Sequence, residues 1–339
     1  MWQIENHTPF RAAGTIVVDG KGRRSWVVAV RGVFDVMPNG AVEFAEEQSE
    51  PVLAPVYRGK DGESSLIYEA DVVAEKPLVD ILVNGSAYAP GGKPARSVHV
   101  GLRTSSFQKT LTVVGDRVWQ GVVPTPSEPL PFTTMPVIYE RAFGGFDQSN
   151  PDPMRQKMFA PNPVGVGIAT RRGDLVGKPA PNVEIPGVGP RESSRAAGFG
   201  PVCSYWAPRA KFAGTYDAKW LSERKPFVPE DYDARFLCCA PDDQQVRGRY
   251  EGGERIDVVN MTPEGVFGFE VPRITLGFSS YFSTGRGPQA VEHHRGVLRT
   301  VIVEPDKRQF VLVWQTTLEC HAKIENLDET VVRIKRRVR

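Results

Sequence analysis

Cysteine is scarce in this chain: Cys203, Cys238, Cys239 and Cys320 are the only four in 339 residues. Four are too few to staple a chain of this length, and the vicinal Cys238–Cys239 pair cannot easily bridge itself. Buried, reduced thiols in a cytoplasmic protein are therefore expected. No apolar run approaches the roughly 20 residues needed to span a bilayer. The N-terminal MWQIENHTPF has no basic region followed by an apolar core. Neither a membrane contact nor a signal peptide is expected. Charge of one sign is missing too, since 42 basic residues against 40 acidic ones leave a formal +2. No global field recruits nucleic acid or an anionic membrane.

The signatures of catalysis and cofactor binding are equally sparse. There is no G-x-S-x-G, no C-x-x-C and no H-x-x-x-H. His293–His294 is a vicinal pair, awkward for one tetrahedral ion. Gly165-x-Gly167 lacks the preceding strand, following helix and further glycines of a phosphate cradle, so tight-turn glycines are preferred. A Cys–His couple is conceivable between Cys203, Cys238 or Cys320 and His99, His293 or His321. A buried structural thiol is the better reading of each cysteine. No metal, no cofactor, no small-molecule substrate and no catalytic residue are expected.

Glycine (33) and proline (29) are abundant without a collagen period, and they punctuate short strands. Gly14–Val18, Trp26–Val36 and Ala41–Phe44 read as a meander whose first turn is Asp19-Gly20-Lys21-Gly22. Strands follow at 79–84, 97–102 and 110–114, with a period near two and β-branched centres. Arg255–Met261 and Val266–Val271 flank the turn Thr262-Pro263-Glu264-Gly265. Leu298–Glu304 and Gln309–Leu318 flank Pro305-Asp306-Lys307-Arg308, the cleanest hairpin in the chain. The expected fold is mainly β: two antiparallel β-sandwich-like modules, at 1–123 and 246–339. A long irregular segment with few short helices, 124–245, should bridge them and pack on both. A segment so long without regular structure usually carries a binding function.

Its densest part runs from Gly198 to Gln245. Aromatics there sit among prolines, which exclude a continuous ladder or a long helix. Asp217 should cap a short helix over Ala218–Arg224 that Pro226 stops. Trp206, Arg209, Tyr216, Trp220 and Arg224 are the expected partner-contact residues, because Tyr, Trp and Arg dominate interface energies. A partner could instead add a strand to an open edge such as Leu298–Glu304 or the C-terminal strand. The alternative function is a carbohydrate-active enzyme or cell-wall binder built on the acidic aromatic stretch 205–243. It would use two of Asp217, Glu230, Asp231, Asp233, Asp242 and Asp243 as paired carboxylates. The basic tail Arg333–Arg339 reads as a charge-guarded edge strand or as a patch for an acidic partner.

In order, several motifs resemble a bacterial domain-of-unknown-function family of type VI secretion system accessory proteins. They begin at Asn6-His7-Thr8-Pro9-Phe10 and include Asp80–Pro90 and Gly115–Trp119. They are sharpest at Met135–Gly145 and Asn162–Gly165. They close with Ala213–Asp217, Trp220, Arg224, Pro226, Pro229 and Asp231–Phe236. The resemblance covers most of residues 5–245 and lends no catalytic motif. It implies a cytoplasmic adaptor or chaperone of a Gram-negative bacterium, not an enzyme. Such a protein would bind a secreted effector, or its PAAR-domain or VgrG spike carrier, before secretion.

Overall fold

A computed structural model describes residues 2–19, 22–74, 76–285 and 287–338, and the side chains among them except those of 321–323 and 336–338. The protein is mainly β, built on three sheets with short ribbons between them. The largest runs Gln245–Val246, Val79–Val83, Val297–Glu304, Gln309–Glu319, Arg24–Val36, Arg11–Val18, and Val42–Phe44 also pairs with Arg24–Val36. A five-stranded sheet runs Val183–Glu184, Gln108–Val114, Ser97–Thr104, Arg255–Val259, Val266–Glu270. The third sheet has four strands, ordered Gln3–Asn6, Leu327–Val338, Arg273–Phe282, Ala290–Arg295.

Each expected hairpin forms: Val297–Glu304 pairs with Gln309–Glu319 across a turn that ends on Arg308 at φ 56, and Arg255–Val259 pairs with Val266–Glu270. The division into terminal modules needs correction, because every sheet mixes strands from 1–123 with strands from 246–339. Arg24–Val36 lies against Gln309–Glu319, Ser97–Thr104 against Arg255–Val259, and Gln3–Asn6 runs parallel to Leu327–Val338. Val79–Val83 is also parallel to Val297–Glu304, so the pairing is not wholly antiparallel. Turn chemistry reports neighbours along the chain and carries no signal for partners nearly 300 residues away.

The central strands of the large sheet are buried on both faces, and that positions everything else. Along Arg24–Val36 the even positions Trp26, Val28, Val30 and Phe34 enter the main apolar cluster. Ala29 and Val33 enter a second cluster on the opposite face, with Leu82, Ile302, Val311 and Val313. Strand side chains alternate between faces, so two covered faces give a near-continuous apolar run. The main cluster draws on all three sheets. Phe310 stacks on Phe34 at 5.0 Å and on Phe269 at 4.0 Å, tying the large sheet to the five-stranded one.

The second face is covered by chain from outside the sheets, including Ala45, Tyr68, Val72, Cys239 and Ala240. It also holds buried charge. Arg31 donates to Asp71 at 2.9 Å, and Lys76 donates to Asp80 at 2.7 Å and to Thr300 at 2.9 Å. Burial alone would lower the Lys76 ammonium, but the Asp80 carboxylate beside it holds the pKa above its ordinary value.

Between the four-stranded and large sheets runs a chain of hydroxyls and one imidazole. Trp26 Nε1 donates to Thr330 at 2.9 Å, Thr330 meets Ser280 at 2.8 Å, and Ser280 meets His294 at 2.9 Å. The second ring nitrogen of His294 reaches Thr316 at 2.7 Å. Burial first, then the nearby charges of His293 and Lys335, lower His294 from 6.5 to about 4. Between those values the unfolded chain binds a proton that the folded chain refuses. Stability from this group therefore falls as pH drops through that window and levels off below it. The expected loss is about 3 kcal/mol. His294→Gln should flatten that part of the profile, read as the difference in urea midpoints between neutral pH and pH near the lower value. Equal pH dependence in variant and parent would contradict the assignment.

Candidate protein-interaction surface

The stretch Gly198–Gln245 is fastened along the Val79–Val83 strand. The Asp80 carboxylate accepts from the backbone N–H groups of Cys239 at 2.9 Å and Ala240 at 3.1 Å. Gln244, fully buried, donates to the Ile81 carbonyl at 2.7 Å and the Phe199 carbonyl at 2.9 Å. Val202 donates to the Cys239 carbonyl at 2.7 Å, which closes the two ends of the stretch on each other. The irregular backbone thus finds its partners in strand carbonyls, one carboxylate and its own carbonyls.

Two of the five expected contact residues are interior, and that expectation is corrected. Trp206 is 0% exposed, packed edge-to-face on Tyr139 at 5.0 Å in a cluster with Leu66, Val202 and Cys203. Arg209 is also buried. Its guanidinium donates to the Phe236 carbonyl at 3.1 and 2.9 Å and to the Val202 carbonyl at 2.7 Å, and it pairs with Glu69. A rigid fork with several donors suits joining loop carbonyls as well as it suits an interface. Trp206 and Arg209 brace the segment from within.

The other three come together at the surface. Asp217 Oδ1 accepts from the Trp220 N–H at 2.8 Å and caps the helix Ala218–Glu223, as the sequence predicts. Tyr216 meets Trp220 edge-to-face at 4.7 Å, and Trp220 Nε1 donates to the Phe227 carbonyl at 2.8 Å. Arg224 Nε donates to the Val228 carbonyl at 3.0 Å. Tyr216 is 55% exposed and Leu221, on the helix, 58%. Trp220 and Arg224 line a concavity of about 400 Å³ together with Thr215, Pro229, Glu230 and Asp231.

The aspartates of the stretch have structural partners, whereas Glu230 lines the concavity without one among the described residues. Asp231 accepts from Thr215 N at 2.9 Å and Thr215 Oγ1 at 2.8 Å, and these bonds hold it below the usual carboxylate range. Asp233 pairs with Arg235, Asp242 with Lys211 at 3.1 Å, and Asp243 with Lys109 at 2.8 Å and Arg195 at 2.7 Å. Burial lowers Lys109 to about 8, an effect that Asp243 partly offsets. The thiols are held protonated at neutral pH: burial pushes Cys203 and Cys238 up to about 11 and raises Cys239 and Cys320. His99 and His293 face the hydroxyls of Thr112 and Ser279, while the His321 side chain lies outside the described residues.

A second, larger concavity of about 1200 Å³ lies N-terminal to this stretch in sequence, and sequence reasoning missed it. Its floor is apolar: Trp119, Phe159 and Leu175 are buried, and Phe143 packs edge-to-face on Phe159 at 5.1 Å. Val123 and Met158 stand exposed on its walls. The ribbons that hold it are short. Trp119–Gln120 pairs with Thr125–Pro126, and Phe146–Asp147 pairs with Lys157–Met158. Phe143–Gly144 runs parallel to Val166–Gly167, where a Cβ on Gly165 would lie 2.5 Å from the Ala142 carbonyl oxygen. Gly165 and Gly167 (φ +106) are therefore close-packing glycines of this ribbon. Asn162, buried beside them, donates to the Tyr139 carbonyl at 2.9 Å and the Phe143 carbonyl at 3.1 Å. The only trace of this cleft in the sequence is apolar residues without period, such as Val122, Val123, Met154 and Met158, inside a Pro/Gly-rich region.

One of the two expected open edges is closed and the other is partly open. Leu298–Glu304 is interior, flanked on both sides, so it offers no edge to a partner. In the C-terminal strand, residues 329–332 are covered by Gln3–Asn6, while pairing with Arg273–Phe282 continues to Val338. The stretch Arg333–Val338 is thus an edge on one side, as expected of the C-terminal strand. No described helix is long and apolar enough to cross a membrane.

No curated protein and no solved structure matches the chain. The sequence pattern of DUF2169, described as an uncharacterized protein conserved in bacteria, matches residues 21–315. That span takes in every described strand except Gln3–Asn6, Arg11–Val18, Leu327–Val338 and the last residues of Gln309–Glu319, together with both concavities and the braces between them, so the chain is a member of this bacterial family.

Proposed function

We propose that the protein is a non-catalytic adaptor or chaperone of a type VI secretion system. In the cytoplasm it would hold an effector, or the PAAR-domain or VgrG carrier of one, before secretion. The observation that carries this reading is where apolar side chains are left in water. Among the described residues, most exposed large apolar side chains lie between Val118 and Leu221, on the irregular segment and on the short stretch that leads into it. Two of them, Val123 and Met158, share the larger cleft, and exposed apolar side chains that come together mark an interaction surface more often than scattered single ones do. Of the six carboxylates that an enzyme on the acidic aromatic stretch could use, all but Glu230 are engaged in a cap, in ion pairs or in hydrogen bonds to Thr215, and the four thiols are buried. The resemblance in Met135–Gly145 and Asn162–Gly165 supports the same reading, because Asn162 ties those two motifs together beneath the larger cleft.

Capture of the purified effector encoded beside this gene, or of its PAAR-domain carrier, tests the proposal. Wild-type protein should retain the partner, and Tyr216→Ala, Trp220→Ala double replacement should lose about thirtyfold or more in affinity while remaining folded. No capture of either partner by the wild type would reject it.

A further inference from the structure

The chemistry of the larger cleft is specific enough to name what fills it. Four cations, Arg117, Lys157, Arg172 and Arg191, line it against one carboxylate, Glu192. Arg117 is committed to Glu184 and to the Pro181 carbonyl at 2.8 Å. Lys157, Arg172 and Arg191 are exposed and have no carboxylate partner among the described residues. Two donors on cleft-lining residues, Arg117 Nε and Trp119 Nε1, are buried and have no acceptor there. The cleft therefore combines an apolar floor with a rim on which three cations face one carboxylate. At about 1200 Å³ it also exceeds the roughly 300–1,000 Å³ of small-ligand sites.

We infer that this cleft is a docking site for an extended polypeptide segment in which acidic residues flank an apolar anchor. The anchor, a Leu or Phe, lies on the floor formed by Trp119, Phe143, Phe159 and Leu175. Flanking Asp and Glu side chains meet Arg172, Arg191 and Lys157, where the planar guanidinium matches carboxylate geometry. The charge pattern selects the occupant: a cationic segment would face three unpaired cations, and a purely apolar one would leave them unused. The acid-rich concavity at Trp220 has the opposite character, so the two surfaces suit different segments. The inference rests on the protein-recognition reading above and specifies the chemistry of one partner.

The test uses the full chain and short labelled synthetic peptides, read by fluorescence anisotropy. One peptide carries Asp and Glu around a Leu and a Phe. A second has Lys in place of the acids, a third has Gly in place of the Leu and Phe, and a single-stranded oligonucleotide serves as the other polyanion. The acidic apolar peptide should bind, more weakly at higher salt, and each altered peptide should bind at least about tenfold more weakly. Arg172→Glu with Arg191→Glu should cost a similar factor at unchanged melting temperature, as should Met158→Asp on the wall. Absence of binding at millimolar peptide, equal binding of the cationic peptide or oligonucleotide, or indifference to the charge reversal would overturn the inference. Effector capture without peptide binding would sink this inference alone. Failure of both would sink the functional reading with it.

Discussion

Asp80→Ala should cost about 3–5 kcal/mol of unfolding free energy, the cost of breaking a buried ion pair from one side. Asp80 is fully buried and accepts from Lys76 Nζ at 2.7 Å, Cys239 N at 2.9 Å and Ala240 N at 3.1 Å. Removing it strands an ammonium in the interior and takes the acceptor from two backbone donors of the central segment. The damage should also be local in a particular way. Residues around Cys239 and Ala240 should lose amide protection before the sheets do, because their anchor on the Val79–Val83 strand is gone. A second replacement, Lys76→Met, should recover part of the loss by removing the unpaired charge. Urea denaturation of the single and double variants measures both effects. A loss below about 1 kcal/mol for Asp80→Ala would mean that the carboxylate does not hold the segment down.

The two tryptophans of the aromatic stretch should separate completely by assay. Trp206→Ala empties a fully buried site against Tyr139, Val202 and Leu66 and is expected to cost about 3–5 kcal/mol of stability. Trp220→Ala removes a half-buried ring on a six-residue helix, whose Asp217 cap survives the change. Its stability cost should stay near or below about 1 kcal/mol, whereas partner affinity should fall by about 2 kcal/mol or more. Thermal unfolding and titration of the partner, run on both variants, check the contrast. Equal destabilisation by the two replacements would contradict the division into internal braces and displayed surface.

Much of the secondary structure was legible because its causes are local. Pro305–Arg308 with alternating flanks forms the expected hairpin, and Asp217 caps the expected helix. Residues 20 and 21 of the first expected turn lie outside the described residues, while Asp19 N donates to the Arg23 carbonyl at 3.0 Å across it. What could not be read is non-local. Nothing near Arg24–Val36 announces that its partner is Gln309–Glu319, so the chain looked like two modules where it forms shared sheets. Trp206 and Trp220 have similar surroundings in sequence, with prolines, alanines and charges nearby. Tyr139, far upstream, decides that the first is core. The larger cleft was invisible for the same reason. Its lining comes from residues 117–127, 143–172, 175 and 190–192, assembled by ribbons too short to leave a period.

Hydrogen exchange on the protein with and without its effector or carrier tests the central claim most directly, since it needs no variant and reads every backbone segment at once. Slowed exchange concentrated in the irregular segment, around 117–192 and 212–224, with the three sheets unchanged, is the predicted footprint. Protection confined to the sheet edges or the C-terminal strand, with the central segment untouched, would contradict it.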